Sequence, residues 1–132
     1  IIVFDASIGD IGLLRHPLKV FVQKGRITKF ESDDKELVKR ITELTDIDED
    51  AKVIGELGIG VNPGARITGN MLEDEKALGT AHIAFGNNAD FPGGGKNHSK
   101  IHRDFLFYKP TIEVSYTEGK NKVFMNHGEF NF

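Results

Sequence analysis

The sequence predicts an α+β domain: a largely antiparallel or mixed β-sheet with two short helices. Three observations lead there. Short β-rich runs bounded by Gly, Pro and Asn turns recur along the chain; one segment, residues 34–45, spaces its apolar residues helically; and a further capping pattern opens at Asn70.

Taken in order, Ile1 to Phe4 is a buried strand, followed by a Gly- and Asp-punctuated loop from Asp5 to Gly12. Leu18 to Gln23 and Arg26 to Phe30 form a hairpin around Lys24-Gly25. Ser32-Asp33-Asp34 caps the first helix, with Glu36 three residues after Asp33 as in a capping box. Leu37, Val38, Ile41 and Leu44 lay one apolar stripe on the sheet. Asp46 to Asp50 is an acidic loop with the character of a solvated face. Val53 to Val61 is a Gly-rich strand ended by Asn62-Pro63-Gly64. Asn70 and Glu73 open a short second helix that Gly79 closes. Thr80 to Phe85 is a strand, and a loop containing Gly93-Gly94-Gly95 leads to strands at Ile101 to Tyr108, Thr111 to Tyr116 and Lys122 to Met125.

A length of 132 residues suits one domain, 1–132, and 39% hydrophobic with 28% charged residues predicts a packed core rather than disorder. The net charge of −3, with both signs interspersed, argues against a nucleic-acid partner. The lack of cysteine excludes disulfides, thiolate catalysis and Cys-type zinc sites, and fits a cytoplasmic compartment. No apolar run is long enough to span a membrane. A bare strand at residue 1, without a leader, is expected of a piece cut from a longer protein. As an edge, that strand is open to pairing with a second copy, so a homodimer is expected.

Chemistry concentrates in three places. In Ile101-His102-Arg103-Asp104-Phe105 strand alternation puts His102 and Asp104 on one face, near enough to reach one ion, although such pairs also occur on solvated strands. In Thr80-Ala81-His82-Ile83-Ala84-Phe85 the bulky residues share one face and leave His82 beside Ala84, with room for a ligand. Two His and a carboxylate serve both zinc hydrolases and non-haem iron oxygenases. Glu56 stands opposite the apolar face formed by residues 53, 57, 59 and 61, beside Gly58 and Gly60, where an acid calls for a cation or for water. Gly95-Lys96 lacks the flanking residues of a phosphate loop, so residues 86–100 form a wall over a site instead. The acids Glu73-Asp74-Glu75 suit the start of a helix, and His16, His98 and His127 need no special role.

The stretches Glu56-Leu57-Gly58-Ile59-Gly60-Val61-Asn62-Pro63, Thr68-Gly69-Asn70-Met71-Leu72-Glu73-Asp74-Glu75-Lys76 with Thr80-Ala81-His82-Ile83-Ala84-Phe85-Gly86, and Ile101-His102-Arg103-Asp104 occur in that order. Together they resemble the carboxy-terminal half of the thermophilic metallo-aminopeptidases, the aminopeptidase T or leucyl aminopeptidase-like family. The resemblance implies the C-terminal domain of a two-domain metalloenzyme that releases N-terminal amino acids from peptides. It implies a divalent metal pair, zinc or cobalt, with Glu56, His82, His102 and Asp104 matching four ligands and a further Glu lying ahead of residue 1. It assigns no catalytic residue here: the family's Tyr would fall within 87–91, where this chain has Asn87-Asn88-Ala89-Asp90-Phe91. On this reading the chain alone is inactive. An Fe(II) dioxygenase that opens 2,5-dihydroxypyridine resembles the chain too, through His82, His102 and Asp104. A non-catalytic assembly module is the third reading.

Overall fold

The structure, a computed structural model, describes residues 1–131. In chain order the strands are β1 (Ile2–Phe4), β2 (Ser7–Ile8), β3 (Gly12–Leu13), β4 (Leu18–Gln23) and β5 (Arg26–Glu31). The helix α1 (Lys35–Thr45) and a 3-10 turn at Asp50–Lys52 lead into β6 (Ile54–Ile59). After α2 (Met71–Asp74) come β7 (Thr80–Gly86), β8 (His102–Tyr108), β9 (Ile112–Ser115), β10 (Asn121–Asn126) and β11 (Glu129–Phe130). The strands form three sheets, ordered β1-β4-β5, β3-β2-β8-β7-β6 and β11-β10-β9, and their strand-to-strand pairings are antiparallel. The α+β architecture expected from the sequence is the one observed. No helix among the described residues is long and apolar enough to cross a membrane.

The core joins the first sheet and α1 to one face of the five-stranded sheet, through Phe4, Leu18, Val20, Ile27, Leu37, Ile41, Phe85 and Phe105. Phe105 meets Phe4 and Phe85 at centroid separations of 5.2 and 5.1 Å, tilted and edge-on, arrangements that suit aromatic quadrupoles. Helix α1 buries Leu37, Ile41 and Thr45, one residue per turn, and Thr45 returns its hydroxyl hydrogen to the Ile41 carbonyl at 2.8 Å. Its N-cap is Asp34, one residue later than the capping box suggests, because the Asp34 carboxylate accepts the Leu37 N–H at 3.0 Å. The last turn has no basic residue of its own. Arg103, buried on the core face of β8, donates to the Leu44 carbonyl and to Asp10, both at 2.9 Å, and so brings positive charge to that helix end.

Three segments depart from sequence expectation. The loop after β1 contributes β2, where Ile8 pairs with Phe105 of β8 and with Gly12 of β3 and is 1% exposed. The acidic loop is a clamp rather than a free solvated face. Asp48 accepts the Ala51 and Lys100 N–H groups and the Ser99 hydroxyl, and Asp50 accepts the His98 N–H at 2.8 Å. The expected apolar face of β6 is largely open: Leu57 and Val61 are 61% and 66% exposed, because β6 is the outermost strand of its sheet.

Candidate metal centre

Three neighbouring strands, β6, β7 and β8, build the site on the face of the five-stranded sheet turned away from the core. Register sets it up: Ala84 lies opposite both Glu56 and Asp104, Gly58 opposite His82, and Gly86 opposite His102. Small residues thus stand beside each polar one. At Gly58 this spacing is obligatory, since a Cβ there would lie 2.1 Å from both Cε1 and Nε2 of His82. The His82 ring occupies the volume a side chain would need.

Glu56 reaches this face through an irregularity. The β6–β7 register shifts between Ile54 and Glu56, so Gly55 is an extra residue. Simple alternation would put Ile54 and Glu56 on one side; the bulge sends Ile54 to the core and Glu56 to the site. Two asparagines brace the bulge. Asn97 donates to the Ile54 and Gly86 carbonyls at 3.0 and 3.1 Å, and Asn88 donates to the Gly55 carbonyl at 3.0 Å.

All four side chains singled out in the sequence converge. His82 Nε2 lies 3.6 Å from Glu56 Oε1 and 3.8 Å from Asp104 Oδ1. His102 Nε2 lies 2.9 Å from Glu56 Oε2 and 3.5 Å from Asp104 Oδ1. One ligand atom each from Glu56, His82 and Asp104 falls within 4.8 Å of the others. Donors about 2.0–2.2 Å from a tetrahedral ion sit roughly 3.4 Å apart, so most of these gaps are wide for hydrogen bonds and suit a shared cation. Asp104 Oδ1 and His82 Nδ1 are buried without a hydrogen-bond partner among the described residues. An orphaned carboxylate oxygen facing two imidazoles is costly unless a cation completes it, so the residues present fit a divalent metal. His102 Nδ1 is 2.7 Å from the Asn87 carbonyl, which holds the hydrogen on that nitrogen and turns Nε2 towards the carboxylates.

The electrostatics agree with this arrangement. Without metal, the Asp104 carboxylate facing its Nε2 at 3.5 Å raises His102 from 6.5 to about 9, against the opposing effect of burial and with help from the Asn87 carbonyl and the charge of Glu56. Burial pushes Asp104 upward, but the facing imidazoles of His102 and His82 outweigh it and hold the carboxyl below its ordinary value. A raised histidine stabilises the fold fully below its unfolded value and loses that contribution as pH rises through the folded one. The metal-free protein therefore loses melting temperature between pH 6.5 and about 9, and His102→Gln flattens that slope. Thermal melts of the two proteins across this range check it, and equal slopes would remove His102 as the cause.

Glu75 is the residue that sequence reasoning missed. The helix dipole explains acids in the first turn, but α2 is a single turn and Glu75 is its C-cap. There it lines a cavity of about 240 Å³ with Glu56, Ile59, Val61, Asn62, Lys76 and His82. The shortness of the pattern between Asn70 and Gly79 was the available signal. Asp74, also assigned to the helix start, is fully buried and latches α2 to β2 through the Ser7 hydroxyl at 2.7 Å. His16, His98 and His127 are exposed, with no part in this cluster.

The chain matches the thermophilic metalloprotease (M29) family over residues 13–130. Among solved structures it is similar to 2,5-dihydroxypyridine dioxygenase from Pseudomonas putida, with TM-score 0.76, 21% identity, and coverage of 98% of this chain and 39% of that one. It is similar also to AmpT from Thermus thermophilus, with TM-score 0.65, 24% identity, and coverage of 90% and 32%. At these identities both establish the fold alone, and the chain spans well under half of either protein. No curated protein matches it. The family match covers nearly the whole chain and agrees with the resemblance carried by the Glu56, His82 and His102 segments: this chain belongs to the thermophilic metalloprotease (M29) family.

Proposed function

We propose that this chain supplies the metal ligands of an aminopeptidase, with His82, His102, Asp104 and Glu56 holding zinc or cobalt. The observation that supports it best is the convergence of these four side chains around the orphaned Asp104 Oδ1 within a metallopeptidase family domain. A bound divalent ion would polarise the peptide carbonyl and bring the pKa of a water molecule towards ~7. The chain's own contribution is orientation. The Asn87 carbonyl fixes the His102 tautomer, Gly58 makes room for the His82 ring, and the braced bulge aims Glu56. Glu56, half-buried and within reach of both imidazoles, adds a second carboxylate to that ligand set.

A second reading is a ring-cleaving dioxygenase using Fe(II) on His82, His102 and Asp104. Its support is the absence of Tyr from residues 87–91, together with the dioxygenase of the same fold. Metal analysis of the full-length protein, purified without chelator, separates the two. About two zinc or cobalt per chain, with release of amino acids from amino-acid amides, is the expected outcome. One iron per chain, with oxygen uptake on hydroxypyridines, would establish the second reading instead, and a protein that binds no metal would end both.

A further inference from the structure

The loop between β7 and β8 is built onto the candidate centre rather than laid loosely beside it. Asn87 offers its carbonyl to His102 Nδ1, and the side chains of Asn88 and Asn97 hold the backbone of Ile54, Gly55 and Gly86. Asn88 also closes the loop on itself. Its side-chain oxygen accepts the Asn97 N–H at 3.0 Å, and its carbonyl accepts the Phe91 and Gly95 N–H groups at 3.3 and 3.0 Å. The Gly94 N–H returns to the Phe91 carbonyl at 2.7 Å, so the backbone of Phe91 is bonded through both its donor and its acceptor. Gly95 has to be glycine, since a Cβ there would lie 1.8 Å from that Asn88 oxygen. This frame presents one ring. Between Asn87 and Lys100, Phe91 is the only large apolar side chain. Its ring and the His102 imidazole meet at a centroid separation of 5.5 Å with their planes 66° apart, yet Phe91 is 42% exposed. A single exposed apolar residue needs no explanation by itself. This one is pinned by its backbone against a side chain of the centre, and its open surface is favourable only when something apolar covers it.

We propose that Phe91 is a specificity-determining residue of the site: its open surface receives an aromatic or bulky apolar group that a ligand carries next to the atoms facing His82, His102 and Asp104. The inference rests on the metal-centre reading for where the ligand binds, and on the loop and the ring contact for its residue. An aromatic group against Phe91 forms a ring–ring contact and takes apolar area of both partners out of water, whereas a methyl or a charged group gains little of either. The residue selects the ligand and takes no part in the chemistry.

The test is binding rather than turnover. Hydroxamates chelate zinc, cobalt and iron alike through their two oxygens, so one probe pair serves whichever ion is held. Calorimetry on the metal-loaded full-length protein compares benzohydroxamate with acetohydroxamate, which shares the chelating group but replaces the ring by a methyl. Benzohydroxamate is expected to bind about 10-fold more tightly, a preference that Phe91→Ala abolishes and Phe91→Tyr keeps. Acetohydroxamate affinity and metal content stay the same in all three proteins. No aryl preference in the unaltered protein, or no binding of either probe, overturns the proposal, as does a preference that survives in Phe91→Ala or is lost in Phe91→Tyr. Weaker binding of both probes, or less bound metal, in Phe91→Ala also overturns it, by making the ring a support for His102 rather than a contact for the ligand. Release of amino acids from amino-acid amides by the same preparation is scored separately. Aryl preference without that release refutes the aminopeptidase reading and leaves the role of Phe91 standing, and release without the preference does the reverse.

Discussion

Gly58→Ala lowers metal affinity by at least about 100-fold, because the added methyl takes the space of His82, a proposed ligand, rather than of a supporting group. Its Cβ would lie 2.1 Å from two atoms of the His82 ring and 2.9 Å from a third, so the ring must leave the cluster. His82 is 6% exposed, so displacing its ring from this packed position strains its neighbours by about 1–3 kcal/mol. Zinc titration by calorimetry, with thermal melts in chelator, measures the two effects independently. Gly58→Ala with unaltered zinc affinity would show that His82 is no ligand. Gly58 is thus a strand residue that serves close approach rather than flexibility.

Asp74→Ala has the second large effect, on stability. Asp74 is fully buried, and its carboxylate accepts the Thr68 N–H at 2.7 Å, the Gly69 N–H at 3.0 Å and the Ser7 hydroxyl at 2.7 Å. Alanine leaves these donors without acceptors, at a loss of about 2–4 kcal/mol. The segment between Thr68 and α2 then detaches from β2, and Glu75 loses its placement beside His82. Denaturant unfolding of the variant measures the first effect, and faster amide exchange at Thr68 and Gly69 reports the second. A loss below about 0.5 kcal/mol, the range of ordinary surface changes, would mean that water replaces the carboxylate.

Local pattern by itself determined most of the secondary structure and all four residues of the candidate centre. His102 with Asp104, and His82 beside Ala84, are consequences of period-two alternation, which depends only on consecutive side chains pointing to opposite faces. The hairpin around Lys24-Gly25 was equally legible, because Lys24 and Gly25 take the positive φ values of 50° and 77° that such a turn requires. What only the tertiary structure decided depends on partners far away in sequence. Ile8 becomes a strand residue because Phe105 is there to pair with, and Asp48 becomes a clamp because Ser99 and Lys100 return to it. Alternation alone would have set Ile54 beside Glu56; the bulge at Gly55, held by Asn88 and Asn97, separates them. Glu75 was hidden for a related reason. A carboxylate near a helix start is adequately explained by the dipole, and only a helix of one turn, latched by the buried Asp74, turns the next residue towards His82. The chain dictates which side chains share a face, whereas long-range register and buried polar contacts dictate which faces meet.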